Sequence, residues 1–221
     1  MPIQLVSAAF SRTATKPSEW PQGPAPEVAF VGRSNVGKSS MLNALTRRRK
    51  LARVSTTPGR TRALQFFDVS YRPTPAARPR ALRLCDLPGY GYAKVSKAER
   101  DSWASMIEGY LKERDVLRAV VLIVDARHEP SESDQDAATF LRANGRRVVV
   151  AATKMDKLAK SKRTGALRAV ERVMGLARGD AVPFSAVEGT GTDALWARLA
   201  AVAEAPEEAP EAGPAAEPEE E

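Results

Sequence analysis

Gly32-Arg33-Ser34-Asn35-Val36-Gly37-Lys38-Ser39 sets two glycines, a lysine and a hydroxyl at the spacing that wraps a phosphate chain. Glycines let backbone N–H groups close around an anion at a helix N-terminus, where unpaired donors and the helix dipole favour negative charge. Lys38 is placed to neutralise the outer phosphates, and Ser39, followed by Ser40, to offer a hydroxyl to Mg2+. Asp86-Leu87-Pro88-Gly89 supplies a second phosphate group of residues: an Asp that reaches Mg2+ through water and a Gly whose N–H meets the terminal phosphate. Thr153-Lys154-Met155-Asp156 supplies base selection, because a carboxylate there accepts both the ring N1–H and the exocyclic amine of guanine. Adenine has no matching donors. Ser185-Ala186, after Phe184, can add a backbone N–H to the guanine oxygen.

These groups need elements to hold them. The apolar run 28–31 reads as a buried strand and 40–45 as an apolar-periodic helix, so the loop is a strand-to-helix turn. Further strands are predicted at 63–71, 81–85, 119–124, 147–152 and 181–184, with helices between them. Over 97–114, Trp103, Met106, Ile107, Tyr110 and Leu111 draw one apolar helical stripe. A last helix at 192–203 should bury Leu195, Trp196 and Leu199. Alternating strands and helices predict an α/β fold: a doubly wound, mostly parallel sheet with helices on both faces. The expected organisation is an N-terminal extension packing on the domain (1–26), a nucleotide-binding domain (27–203) and a disordered acidic tail (204–221), whose Ala, Pro and Glu cannot build a core.

Charge is segregated. Net charge is +7, but the tail 203–221 carries eight of the 27 acidic residues and no Lys or Arg, so 34 basic residues face 19 acids elsewhere, an excess of +15. Such a body suits a polyanion, and the segment 46–62, with Arg47, Arg48, Arg49, Lys50, Arg53, Arg60 and Arg62 and no acid, puts a basic stripe beside the nucleotide. The tail is then either a tethered competitor of RNA for that body or a solubilising appendage. The single cysteine, Cys85, excludes an internal disulfide framework and a zinc cage, and reads as strand filler. No run is apolar enough to span a bilayer and no secretory signal opens the chain, so a cytoplasmic protein with no membrane partner is expected.

Taken together, the loop 32–40, Thr56-Thr57-Pro58-Gly59-Arg60-Thr61, Asp86-Leu87-Pro88-Gly89-Tyr90-Gly91-Tyr92-Ala93, Asp125-Ala126-Arg127-His128, Thr153–Asp156 and Phe184-Ser185-Ala186 resemble the EngB family of ribosome-assembly GTPases. That family sits in the translation-factor-related class with Era-like members, and the resemblance covers roughly 3–203. It implies a P-loop GTPase domain that binds GTP or GDP with Mg2+ and hydrolyses slowly. Lys38, Thr61 and Gly89 would act at the reacting phosphate, with Thr61 joining Ser39 on the metal and Gly59 and Arg60 beside it. Tyr90 stands where many GTPases carry a glutamine that orients water. Asn35 resembles the residue by which some related GTPases hold K+; as an Asn it also suits a left-handed loop position. Arg62 stands where the family usually has Gln. The resemblance further implies a monomer that binds the large ribosomal subunit or its late assembly intermediates, rRNA and ribosomal proteins included, and is needed for normal cell growth and division. A competing class is a division- or septum-associated signalling GTPase that binds a protein partner without RNA; a third, an ATP-driven motor or helicase, needs a second RecA-like lobe and an adenine site, and the length and Asp156 count against it.

Overall fold

The computed structural model describes residues 3–48, 50–52, 63–90 and 97–205, the side chains of 97–103 excepted. Arg49, Arg53, Gly59, Arg60, Thr61 and Arg62 lie outside the described residues, as does the tail beyond 205.

Chain order is β1 (Gln4–Ala14), β2 (Glu27–Gly32), α1 (Lys38–Leu45), β3 (Leu64–Arg72), β4 (Arg80–Asp86), α2 (Lys97–Glu113), β5 (Leu117–Asp125), α3 (Glu132–Ala143), β6 (Val148–Thr153), α4 (Lys160–Val173), β7 (Val182–Pro183) and α5 (Thr192–Glu204). Among the described residues one seven-stranded sheet runs β1-β3-β4-β2-β5-β6-β7. The pairs β2·β4, β2·β5, β5·β6 and β6·β7 are parallel; β1·β3 and β3·β4 are antiparallel.

Strand alternation explains the two layers. Val28 and Phe30 of β2 point into a core with Met41, Leu42 and Leu45 of α1 and Leu195, Trp196 and Leu199 of α5. Ala29 and Val31, one residue out of phase, point into the opposite core with Ile107, Tyr110 and Leu111 of α2 and Leu141 of α3. A strand covered on both faces is apolar at every position, as Val28-Ala29-Phe30-Val31 is. Cys85 is fully buried in the second core, where desolvation pushes its thiol pKa up, so it behaves as an inert apolar filler.

Residues 4–14 of the N-terminal segment form β1, hydrogen-bonded to β3 as the sheet's edge strand. Its register shifts between Leu5 and Ser7 and again between Phe10 and Arg12. Those breaks interrupt the two-residue period, leaving Val6 48% and Phe10 51% exposed. At the other edge, Gly191 caps α5 in the left-handed region (φ +80°), and a Cβ there would stand 1.9 Å from the Pro183 carbonyl oxygen. Backbone on backbone cannot yield as a side chain can. Gly191→Ala is therefore expected to destabilise the protein by at least ~3 kcal/mol, read as a lower denaturation midpoint. An unchanged midpoint would contradict the close packing of α5 on β7.

Candidate functional site

The loop between β2 and α1 is shaped by backbone before any side chain acts. A Cβ on Gly32 would fall 2.8 Å from the Ile123 carbonyl oxygen, so only glycine fits where β2 passes β5. Asn35 (φ 62°) and Gly37 (φ 105°) are both left-handed and fold the loop back toward α1. Left-handed geometry is the shape-giving role of Asn35 named above. The loop is also held from behind. Thr153 Oγ1 lies 2.7 Å from the Val36 carbonyl and 3.0 Å from that of Val124. Lys154 Nζ donates to the Asn35 carbonyl at 2.7 Å and to Asp125 at 2.9 Å. Burial would raise the Asp125 pKa, but hydrogen bonds from Arg127 and Lys154 outweigh it and hold the carboxyl far below its usual range. Helix α1 starts on Gly37 with no side-chain cap and no acid in its first turn. Its amide donors are thus arranged for an external anion.

Lys38 and Asp86 form an ion pair, their side chains only 14% and 9% exposed. Burial raises the Asp86 pKa, and the Lys38 charge and hydrogen bond partly offset that rise. Ser39 stands half-buried in the first turn of α1, and Ser40 is exposed beside it. A hydroxyl and a buried carboxylate are hard oxygen donors that suit Mg2+, an ion that keeps several waters and takes few protein ligands. No cluster of three or more His, Cys, Asp or Glu side chains is found among the described residues.

From Asp86 the chain turns across the loop. Leu87 N donates to the Phe30 carbonyl at 3.0 Å, and Pro88 is buried. Gly89 passes so near that a Cβ would lie 3.0 Å from the Gly32 carbonyl oxygen. Tyr90 N donates to Gly32 O and Ser34 N to Tyr90 O, both at 3.3 Å, so the two phosphate segments are joined backbone to backbone. The Tyr90 hydroxyl turns to α3, donating to Asp134 at 2.8 Å. Asp134 in turn accepts from the Ser131 N–H at 2.9 Å and hydroxyl at 2.8 Å, closing the capping box that starts α3. Desolvation and Asp134 push the Tyr90 pKa far above its ordinary value, so it remains a neutral phenol. Ser131 and Asp134 were missed in the sequence reading, although their spacing is itself a capping-box signal.

At the base end, β6 and β7 bring the two remaining segments together. Met155 N donates to Phe184 O at 3.2 Å, and Phe184 N to Ala152 O at 2.8 Å. Asp156 Oδ1 accepts the Ser185 hydroxyl at 2.8 Å, leaving its side chain 12% exposed. The Ser185 hydroxyl also accepts from Glu188 N at 3.1 Å, and Arg163 of α4 pins Glu188 with two hydrogen bonds of 2.8 and 2.7 Å. Ser185 N–H is committed to the Thr190 carbonyl at 3.0 Å. Of the pair, the exposed Ala186 is the one left to face a base oxygen. His128 lies exposed beyond β5.

The chain's likenesses agree with this geometry. The family described as "50S ribosome-binding GTPase" matches residues 27–154. A probable GTP-binding protein EngB of Anaeromyxobacter dehalogenans is 79% identical over 203 residues, covering 92% of this chain and 94% of that one. A probable GTP-binding protein EngB of Myxococcus xanthus is 48% identical over 197 residues, covering 89% and 95%. Among solved structures, a probable GTP-binding protein EngB superposes with a TM-score of 0.60 at 23% identity, covering 80% of this chain and 98% of that one. Aquifex aeolicus Era bound to GDP·AlF4⁻ gives 0.64 at 25% identity, covering 85% and 59%.

Proposed function

We propose a function on one premise: the chain belongs to the EngB family of GTP-binding proteins, P-loop GTPases. It binds GTP and GDP, hydrolyses GTP slowly, and uses the cycle to gate its binding to the large ribosomal subunit during assembly. Bacterial growth and division then depend on it through ribosome supply. The observation that carries the nucleotide half is the convergence of Asp156, Lys154 and the loop 32–39 through the Ser185 and Asn35 hydrogen bonds. The ribosomal half is supported by the description of the matching family and by the basic run that leaves α1.

Each group has a task in this reading. Loop amides and the α1 N-terminus hold the phosphates, and Lys38 exchanges Asp86 for phosphate oxygens. Ser39 would hold Mg2+, with Asp86 nearby and, on the family pattern, Thr61; bound there, the ion would supply charge neutralisation for the leaving phosphates. Asp156 reads the base while Ser185 orients its carboxylate. Tyr90 brings no amide to the water and is tied to Asp134, which supports a low intrinsic rate.

Arg47 and Arg48, just past the C-terminus of α1, and Lys50 are exposed. Arg47 takes a left-handed conformation (φ 50°) that turns the chain out of the helix. Neutralising Arg47, Arg48, Arg49 and Lys50 together is expected to lower the salt slope of ribosomal-RNA binding by a few units, since each phosphate contact contributes about 0.7 to 0.9. GTP affinity should barely move. An unchanged slope would return these side chains to solvated surface.

A further inference from the structure

Buried polar atoms in folded proteins almost always find a hydrogen-bond partner, and an orphan calls for an explanation. Among the described residues one buried side-chain polar atom has none: the Ser34 hydroxyl. It lies in the middle of the phosphate loop. Ser34 N donates to the Tyr90 carbonyl at 3.3 Å, and a Cβ on Gly89 would stand 3.5 Å from the same nitrogen. Ser34 is thus clamped between the loop and the segment whose glycine meets the terminal phosphate.

Neighbouring side chains are engaged elsewhere. Tyr90 gives its hydroxyl to Asp134 at 2.8 Å, and Arg33 reaches Ser131 Oγ at 3.4 Å on the outer side. Lys38 serves Asp86. The Ser34 hydroxyl is therefore an unpaired donor within the phosphate loop, on a residue whose backbone is joined to the segment that carries Gly89 and is placed to meet a terminal phosphate. An oxygen of that phosphate would supply the acceptor it lacks, and a hydrogen bond to an anion is about twice as strong as a neutral one.

We propose that the Ser34 side chain, apart from the backbone cradle around it, selects the triphosphate over the diphosphate by donating its hydroxyl to the terminal phosphate. This rests on the GTP-binding reading above. With a diphosphate the hydroxyl stays unpaired, so its contribution falls on one nucleotide state alone.

The full chain, as wild type and as Ser34→Ala, is titrated with GDP and with a non-hydrolysable GTP analogue, and each protein is melted without nucleotide. Ser34→Ala should bind the analogue roughly tenfold more weakly than wild type does, as for a lost hydrogen bond to a charged group. GDP affinity should be unchanged, and the melting temperature equal or higher because a buried unpaired group has gone. Ser34→Gly, which removes the hydroxyl without leaving a methyl in its place, should lose the same preference and guards against an alanine-specific distortion. An analogue-to-GDP ratio equal to wild type in both variants would overturn the proposal, whatever the melting temperature does, and leave the orphan hydroxyl a packing cost. Failure of the wild type to bind either nucleotide would instead bring down the GTP-binding reading, and this proposal with it.

Discussion

Lys38→Ala is expected to abolish GTP hydrolysis and to destabilise the folded protein at neutral pH, two effects with one origin. Lys38 supplies the positive charge that the outer phosphates require, so its loss should reduce the rate by at least ~100-fold. It also leaves Asp86 buried without its cation, a change that in other proteins costs about 3–5 kcal/mol. The pH dependence has a definite sign. Burial already holds the Asp86 pKa above its ordinary value despite Lys38, and removal of Lys38 raises it further. A carboxyl whose folded pKa exceeds the unfolded value binds more protons in the native state, so stability falls as pH rises from the unfolded value, about 3.9, through the folded one. The deficit of Lys38→Ala against wild type should therefore narrow on acidification. Urea denaturation at pH 5 and pH 8 measures it; a deficit equal at both would contradict the buried pair.

Asp156→Asn is expected to weaken GTP at least several-fold and to improve binding of xanthosine triphosphate. An amide removes one acceptor and faces the base with a donor, leaving groups unsatisfied at about 1–3 kcal/mol. Xanthine offers an oxygen where guanine offers its amine, so the same amide becomes complementary. The structure adds a reason to expect a clean exchange. Ser185 donates to Asp156 Oδ1, and asparagine keeps an oxygen that can fill that position. Loop 185–188 should then hold, and the melting temperature without nucleotide should stay close to wild type. Full GTP affinity with no gain for xanthosine triphosphate would remove Asp156 from the base site.

Much of the fold was legible because the central strands carry unbroken apolar runs. Val28-Ala29-Phe30-Val31 and the run within β5 announce strands that are covered on both faces, and the structure extends each by a residue or two. Edge elements were harder. In β1 only Ala8 and Ala14 are buried, and two register shifts erase the alternation that would have marked a strand. Only Val182 and Pro183 of the last predicted strand form ladder pairs, because Phe184 turns at once into the base-facing loop.

The candidate site divides in a similar way. Residues set by one local string, such as Gly32, Gly37, Lys38 and Asp156, can be read from spacing because the backbone alone brings them together. Partners supplied by distant elements cannot. Asp134 meets Tyr90 across 44 positions, and Lys154 meets Asn35 across 119, so no window of sequence contains either contact. Thr61, Gly59 and Arg60 lie outside the described residues, and their roles rest on the family pattern.

Nucleotide-gated binding to the large ribosomal subunit is the central claim, and sedimentation tests it most directly. The full chain is layered with purified large subunits in gradients that contain either GDP or a non-hydrolysable GTP analogue, at low and at moderate salt. The account predicts that the protein travels with the subunits in the analogue, remains near the top in GDP, and is stripped from the subunits as salt rises. The same distribution in both nucleotides, or no association in either, would contradict it.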